Sequence, residues 1–501
     1  MKKKFLLFIN LLALLFAWQV SHIKQVAADD KIKVVTTFYP VYEFTKAVTG
    51  DSADVSMLIK AGTEPHDFEP STKNVATISD ADMFVYMDDS METWVKKVQK
   101  SINSDDLTVV KSTGDMLLMA GTAEEEEEGH EGHSHEYDPH VWLSPKRAVT
   151  LVENIRDAFV AKYPDKAETF KTNSAAYIEK LNDLDKKYSD ALSNAKQKSF
   201  VTQHAAFGYL ALDYGLNQIP ITGVSAESEP SAKRLASLTK YVKKYDIKYI
   251  YFEENASSKV AATLADEAGV KTAVLNPLES LTTKEIKAGE DYFTVMKDNL
   301  KALRLTTDVK GKEIKAETDD TKTVQHGYFK DKDVTDRKLT DWSGTWQSVY
   351  PYLLDGTLDE VWEYKADVSK GEETAQEVKD YYKTDVEKII IDGKKNTVTF
   401  VQNGEEHKYI YKYVGYKILK YEKGNRGVRY LFEAKDDNAG DFKYIQFSDH
   451  NISSTKAEHF HLFWGSTSQK AILKEMDNWP TYFPASKSGQ EIAQDLVAHL
   501  D

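Results

Sequence analysis

Short apolar runs alternate with longer stretches of helical periodicity from Lys33 to about Leu305. Strand-like runs are KVVTTF, MFVYM, SFVTQ and IKYIYFEE, each bounded by polar or turn-forming residues. This alternation predicts βαβ units with parallel sheets. The segment from Lys166 to Lys198 is rich in Ala, Lys, Glu and Leu and contains neither Gly nor Pro. It predicts one rigid helix that joins two α/β lobes into a domain spanning 29–305.

The pattern changes after Leu305. The stretch TTDVKGKEIKAETDDTKTVQ is polar and charged and has no apolar period, so we expect a linker over 306–323. From Val324 to residue 501, the runs NTVTFVQNG, KYIYKYVG and GVRYLFEA are separated by turn signals. A second, mainly antiparallel β domain over 324–501 is therefore predicted, as a small barrel or a sandwich.

Charge and the N-terminus restrict the class of protein. The formal charge of −15 over 501 residues, without a basic stripe, argues against a nucleic-acid partner and suits a cationic one. Residues 1–28 read as a signal peptide, with a basic start at Lys2, an apolar run and a small-residue cleavage site at Ala28. We expect an exported protein that works outside the cell or at its surface.

The chain contains no cysteine. Disulfides, thiolate zinc sites, cysteine nucleophiles and a lipid-attachment cysteine are thereby excluded, and a bound metal must be held by nitrogen and oxygen. The sequence also lacks a GxxxxGK[ST] loop, so we expect that another polypeptide binds any ATP.

Three histidines and one glutamate stand near the ends of predicted strands. His66 lies in GTEPHDFEPS, His140 in YDPHVWLSP, His204 directly after SFVTQ, and Glu279 in LNPLES. Ligands of open α/β sheets bind at the carboxyl ends of the strands. Each residue taken alone fits an ordinary loop position better than a ligand position. Together they offer three nitrogens and one oxygen, a set that suits zinc and leaves no position open for chemistry.

The quoted motifs, with VVTTFYPVYEFTK, FVTQHAAFGYLALDYGL, EPSAKRL and YIYFEENASS, resemble the zinc-specific solute-binding proteins of bacterial ABC importers, the ZnuA-like family. The resemblance covers nearly all of 33–305. It implies a zinc ion between two lobes, bound by His66, His140, His204 and Glu279. Manganese-importing relatives carry a carboxylate in the third position, so His204 favours zinc. The implied partners are a zinc permease and its ATPase, through which a monomeric receptor would associate with the membrane.

A second group of histidines occurs in FSDHNISSTKAEHFHLFWG. His459 and His461 are two residues apart in a strand-like run and therefore point to one face, and His450 ends the preceding run. Such pairs also line barrels without binding metal, but the third histidine favours a ligand set. The motifs WSGTWQSVYPYLLDGTLDEVWEYKA, GNRGVRYLFEA, QFSDHNI and AEHFHLFWG resemble the ZinT family, which implies a lipocalin-like barrel with a second zinc site on these three residues.

Three further classes of protein compete with a transport receptor: a zinc enzyme, a zinc-storage protein and a surface adhesin. A zinc enzyme or a zinc-storage protein would use the three-histidine site, because three histidines with an open position also describe catalytic zinc. No catalytic triad motif, nucleophile elbow or HExxH helix accompanies it, so we expect no enzyme. Surface adhesion would need exposed apolar patches, which a sequence does not reveal. We predict a receptor that captures Zn²⁺ and delivers it to an ABC permease.

An acidic, histidine-rich loop over 122–136 precedes His140. It carries five glutamates followed by His130, His133 and His135, and its composition predicts a solvated, disordered segment. Imidazoles are largely neutral at pH 7 and bind zinc weakly, while glutamates raise the local cation concentration. We hypothesise that this loop collects zinc for the nearby site.

Deletion of residues 124–135 tests this hypothesis. Zinc uptake at scarce zinc should slow, while the high-affinity site still fills, because the loop supplies ions without holding them. Uptake of radioactive zinc and zinc content after dialysis measure the two effects. Loss of the tightly bound ion would contradict the hypothesis.

Overall fold

The computed structural model describes residues 31–102, 106–121, 137–223, 232–253, 259–312, 324, 327–369, 375–421 and 425–498. The predicted signal peptide, the loop over 122–136 and residues 313–323 of the predicted linker lie outside the described residues. Among the helices that are described, none is both long enough and apolar enough to cross a membrane.

The first lobe is built on a parallel sheet with the strand order β2-β1-β3-β4. Its elements are β1 (Ile32–Thr36), α1 (Tyr39–Thr49), β2 (Ala53–Met57), α2 (Thr72–Ser79), β3 (Met83–Tyr86), α3 (Val95–Ser101) and β4 (Thr108–Lys111). Every residue of the apolar β3 is buried, as expected for a strand that is covered on both faces.

Two helices connect this lobe to the next, α4 (Pro145–Lys162) and α5 (Ala167–Leu192). Helix α5 extends over 26 residues and buries Phe170, Tyr177, Leu181 and Tyr188 along one face. The Tyr188 hydroxyl donates a hydrogen bond to the Met296 carbonyl at 2.6 Å, which ties the helix to the last helix of the second lobe. The predicted linking helix is confirmed, although it ends at Leu192 because residues 193–198 turn into the next strand.

The second lobe repeats the parallel arrangement with the strand order β6-β5-β7-β8. Its elements are β5 (Ser199–Thr202), α6 (Gly208–Asp213), β6 (Asn217–Pro220), α7 (Ala232–Tyr245), β7 (Tyr249–Phe252), α8 (Lys259–Ala268), β8 (Lys271–Val274), α9 (Thr283–Ala288) and α10 (Tyr292–Thr307). The two parallel-sheet lobes predicted from the alternating pattern are therefore confirmed. Helix α10 continues to Thr307, two residues into the expected linker.

The C-terminal part forms a closed antiparallel barrel with the strand order β10-β11-β12-β13-β14-β15-β16-β9. Its elements are β9 (Gly344–Ser348), α11 (Tyr350–Leu354), α12 (Asp359–Ser369), α13 (Ala375–Tyr381), β10 (Val386–Asp392), β11 (Thr397–Gln402), β12 (Glu405–Lys420), β13 (Arg426–Ala434), β14 (Tyr444–Ser448), β15 (Phe460–Gly465), α14 (Gln469–Ile472), β16 (Thr481–Pro484) and α15 (Gly489–Ala498). Strands β16 and β9 close the barrel, with Tyr482 opposite Ser348. Pattern alone left barrel and sandwich open, and the structure shows the lipocalin-like barrel.

The barrel domain docks on the first lobe through helix α15. The Gln494 side chain accepts from the Leu118 amide at 2.8 Å and donates to the Leu118 carbonyl at 2.6 Å. Gln490 donates to the Asp115 carbonyl. Next to these bonds, the buried Leu117 joins an apolar cluster that includes Ile492. The helix therefore pairs with the backbone that follows β4, just before the acidic loop begins.

Substitution Leu117→Asp should separate the two domains, because it places an unpaired carboxylate in this apolar cluster at a cost of several kcal/mol. Gln494→Ala should loosen them less, since each lost hydrogen bond contributes about 1 kcal/mol. Small-angle scattering should show a larger radius of gyration for Leu117→Asp.

Gln376→Ala is the matched control for Gln494, because Gln376 is exposed and, among the described residues, its side chain bonds to Asp380 of the same helix. An unchanged radius of gyration for Leu117→Asp would show that the docking does not depend on this cluster.

Candidate metal centres

The first centre lies between the two lobes, where four loops meet. His66 is in the loop after β2, and His140 directly precedes the short turn that leads into α4. His204 follows β5, and Glu279 lies in the loop after β8. The Gly62 amide donates to the Ser280 hydroxyl at 2.6 Å, so the loops of the two lobes also contact each other directly.

Four ligand atoms of this centre converge on one point. The His140 Nε2 atom lies 3.1 Å from Nε2 of His66, 3.4 Å from Nε2 of His204 and 3.2 Å from Oε1 of Glu279. The same Oε1 lies 3.5 Å from His66 Nε2 and 3.3 Å from His204 Nε2. A tetrahedral zinc ion with bonds of about 2.0 to 2.1 Å has ligand atoms about 3.3 Å apart. The arrangement therefore has the size of a tetrahedral zinc site.

Burial makes this centre a closed one. The side chains of His140 and His204 are fully buried, and those of His66 and Glu279 are 1% and 6% exposed. Four protein ligands complete a tetrahedron and leave no position for water or substrate. The geometry thus suits tight holding of an ion and does not suit hydrolytic chemistry.

Asp138 orients the ring of His140. Its Oδ1 atom lies 2.7 Å from His140 Nδ1 and also accepts from the His140 amide at 2.9 Å. The Tyr209 hydroxyl and the Met119 carbonyl hold the Asp138 backbone at 2.7 and 2.8 Å. A Cβ atom on Gly208 would lie 2.9 Å from Asp138 Oδ2, so glycine leaves room for the carboxylate. With the proton on Nδ1, Nε2 is free to bind metal.

Glu253 does the same for His204, because its Oε1 atom contacts His204 Nδ1. A third carboxylate, Glu64, accepts from the His66 amide at 3.1 Å. Burial, followed by the nearby Glu279 charge, raises the pKa of Glu64 to about 9. Sequence reasoning missed these three residues. Two signals were present: Asp138 stands two positions before His140, and Glu253 follows strand β7 at its carboxyl end.

The carboxylates also set the protonation of the ligands. Burial lowers the pKa of His66 to about 4, so this imidazole is neutral at pH 7. For His140 and His204 burial acts in the same direction, but it is outweighed by Asp138 and by Glu253 respectively, with Glu279 adding to both, and their pKa values rise. Burial opposes ionisation of Glu279, yet its hydrogen bonds to the histidines hold its pKa well below the usual range. Zinc binding at His140 and His204 therefore competes with protonation of their rings.

The second centre lies at one end of the barrel. The ring centroids of His450, His459 and His461 are 5.5, 5.7 and 6.0 Å apart, and one ligand atom of each lies within 4.8 Å of the others. His461 is on β15, where it pairs with Ser448 and Thr481. His450 is exposed and follows the end of β14 by two residues.

Hydrogen bonding fixes the tautomer of His461. Its Nδ1 atom lies 2.8 Å from the Thr481 hydroxyl, which donates its own hydrogen to the Trp479 carbonyl at 2.8 Å. The ring must then donate from Nδ1, so Nε2 is left to bind metal. Burial, followed by the charges of His450 and His459, lowers the pKa of His461 well below its usual value. Three nitrogens are gathered, and a fourth position is open to solvent or another donor.

The structure thus brings together the seven predicted site residues that it describes, as two separate groups. His130, His133 and His135 lie outside the described residues. Two expectations need adjustment. His450 does not end a strand, because β14 stops at Ser448 and the loop that follows carries this histidine. His459 is not within a strand either, because β15 begins at Phe460, so that only His461 of the pair lies on β15.

Comparison with known proteins identifies the family. A family model described as zinc-uptake complex component A, periplasmic, matches residues 34–305, and one described as ZinT periplasmic lipocalin-like zinc-recruitment matches 320–499. The zinc-binding protein AdcA of Streptococcus pyogenes serotype M1 is 65% identical over the whole of both chains. The zinc-binding lipoprotein AdcA of Streptococcus pneumoniae strain R6 is 61% identical, again over both full lengths. The chain belongs to the AdcA family of zinc-binding proteins.

The solved structure of Zn(II)-bound AdcA from Streptococcus pneumoniae covers 93% of this chain and 99% of its own, with a TM-score of 0.81 and 61% identity. The similarity extends over both domains. The pneumococcal AdcA is named a lipoprotein, and the sequence of this chain contains no cysteine.

Substitution Asp138→Asn or Glu253→Gln should weaken zinc binding at the first centre by about 10- to 100-fold, the usual effect of losing the partner of a ligating histidine. Both changes keep the shape of the side chain but remove the charge that fixes the tautomer. Competition with a chelator of known affinity measures the change. Asp54→Asn, on an exposed position of β2, is the control. Affinities equal to that of the control would contradict the assigned role.

Proposed function

We propose that this protein captures Zn²⁺ outside the cytoplasm and delivers it to the permease of a zinc ABC importer, which is driven by its ATPase. The observation that carries the proposal is the closed set of His66, His140, His204 and Glu279 between two lobes. Membership of a family of zinc-uptake receptors supports it. The family consists of solute-binding receptors and not of enzymes, and a four-ligand site agrees with this.

Delivery requires that the ligand set be broken. The four ligands come from four loops, two in each lobe, and no single element holds all of them. A shift of the loop around His66 relative to Ser280 would remove one ligand and open the site to water. Binding to the permease can supply the free energy for such a shift only if the permease contacts the open arrangement better than the closed one.

The barrel provides a second zinc site, which is more exposed and has fewer protein ligands than the first. His450 is exposed and the group has three protein ligands, so zinc can enter and leave without movement of a lobe. We assign His450, His459 and His461 to this second zinc site. A zinc ion there would be held less completely than in the four-ligand centre, which suits recruitment before transfer.

The remaining parts of the proposal concern the surroundings of the receptor. We propose export by the N-terminal signal over 1–28, action at the cell surface as a monomer, and association with the membrane through the permease. The acidic loop with His130, His133 and His135 would collect zinc for the first site. The negative formal charge of −15 supports attraction of the cation.

Zinc content tests the two assigned sites. Residues 29–501 should bind two equivalents, and His66→Ala and His459→Ala should each bind one, because each substitution removes a ligand from a different centre. His66→Ala should also fail to support growth in chelator-treated cells. Elemental analysis after dialysis and growth curves provide the measurements.

His407→Ala is the control, since His407 lies on β12 outside both groups. One equivalent in the unchanged protein, lost only with His66→Ala, would remove the second site from the proposal. Normal growth of His66→Ala would contradict the role of the first site.

A further inference from the structure

A buried arginine lies where the chain enters the barrel, beside the loop that carries His450. The side chain of Arg337 is fully buried. Its Nε atom donates to Asp341 Oδ2 at 3.0 Å, its Nη1 to Asp449 Oδ1, and its Nη2 to the Thr455 carbonyl at 2.6 Å. The guanidinium group therefore joins the entry segment, residues 335–341, to the first residue of the loop that follows β14 and to Thr455 further along the same loop.

Aromatic rings fix the plane of the same guanidinium group. Its central carbon lies 4.1 Å from the centroid of the Trp342 ring and 5.2 Å from that of Tyr430. A planar cation held by two carboxylates, a carbonyl and two rings has little freedom to move. Lysine cannot replace it, because one ammonium group cannot span three acceptors in a plane.

Three more hydrogen bonds hold the loop after β14 against the entry segment. The Thr335 amide donates to the Ile452 carbonyl at 2.9 Å. The Ser454 hydroxyl donates to Asp341 Oδ1 at 3.1 Å, and the Ala457 amide donates to the Asp341 carbonyl at 2.9 Å. The loop between the ligands His450 and His459 is thus attached along its whole length to residues that precede the first barrel strand.

The backbone of His450 requires such support. Its φ angle is 62°, in the left-handed region that residues other than glycine seldom occupy. The neighbouring Asp449 contacts Arg337, and its carboxylate accepts a hydrogen bond from the Asn451 amide at 3.3 Å. The carboxylate therefore connects the residues on either side of His450. Local strain of this kind persists only where the surroundings enforce it, and it often occurs at functional sites.

We propose that Arg337, together with Asp341 and Asp449, positions His450 as a ligand of the second metal centre. Arg337 does not touch the ion: it holds the loop so that the His450 ring faces His459 and His461. The inference rests on the proposed function, in which these three histidines bind zinc. It adds that affinity at this centre depends on a charged group outside the ligand set.

The experiment uses the chain carrying His66→Ala and His204→Ala, with residues 124–135 of the acidic loop deleted, so that the second centre is the metal site under study. In this parent, Arg337→Lys and Asp449→Asn should each weaken Zn²⁺ binding by about tenfold or more, as the loss of groups that orient a ligand does. The absorption spectrum of the Co²⁺-loaded protein should also change, because it reports the number and geometry of the ligands. A purely structural role would lower the unfolding temperature without changing this spectrum in the folded protein.

Asp331→Asn is the matched control. Asp331 pairs with Arg426 in the same region of the chain but makes no contact with the loop that carries His450 among the described interactions. It should keep the affinity and spectrum of the parent.

The outcomes distinguish failure of the second zinc site from failure of the positioning role of Arg337. A parent that binds neither Zn²⁺ nor Co²⁺ overturns the second zinc site and the inference with it. A parent that binds, with affinity and cobalt spectrum unchanged in both variants, overturns only the role of Arg337. If circular dichroism shows that Arg337→Lys does not fold, the nearly isosteric Asp449→Asn decides the question alone.

Discussion

The structure depends on holding four ligand atoms close together in a buried space. They are three imidazole nitrogens and one carboxylate oxygen, and the distances from His140 Nε2 or from Glu279 Oε1 to the other atoms are 3.1 to 3.5 Å. Such groups are costly to bury unless each is paired or binds an ion. Asp138 and Glu253 supply this pairing by contacting the Nδ1 atoms of His140 and His204. The Nε2 atom of each ring is thereby directed toward the metal site. The two parallel sheets, the long helix α5 and the contact between Gly62 and Ser280 serve to keep the four loops in register.

The two centres divide the chemistry between them. In the first, four ligands and nearly complete burial favour retention of zinc, while the raised pKa values of His140 and His204 make protons compete with zinc for these rings. In the second, the lowered pKa of His461 reduces competition from protons, and the exposure of His450 gives zinc access from the solvent. A chain that carries both can combine easy access with firm holding, which one site cannot provide, because the burial that holds an ion also slows its entry.

The sequence predicted much of this, and the limits have physical reasons. Alternating apolar runs gave the parallel lobes, and the run without Gly or Pro gave helix α5, since these elements follow from local pattern. The ligands were found because they stand at strand ends within motifs that resemble a known family. Glu253 was missed because it lies 49 residues from His204 in the chain. Asp138 stands only two residues before His140, but spacing alone does not show that its carboxylate turns toward the Nδ1 atom of that ring. The left-handed backbone of His450 and the role of Arg337 depend on contacts 112 residues apart in the chain, which periodicity does not encode.

The contact of Gln494 with Leu118 has a thermodynamic consequence. The carbonyl of the next residue, Met119, accepts a hydrogen bond from the amide of Asp138, whose carboxylate orients His140. The docked barrel is therefore connected to Asp138 through two hydrogen-bonded contacts, Gln494 with Leu118 and Met119 with Asp138. Any free energy that docking contributes to zinc binding at the first centre must equal the free energy that zinc contributes to docking. A lobe that has bound zinc would then hold its barrel with a different free energy from an empty one.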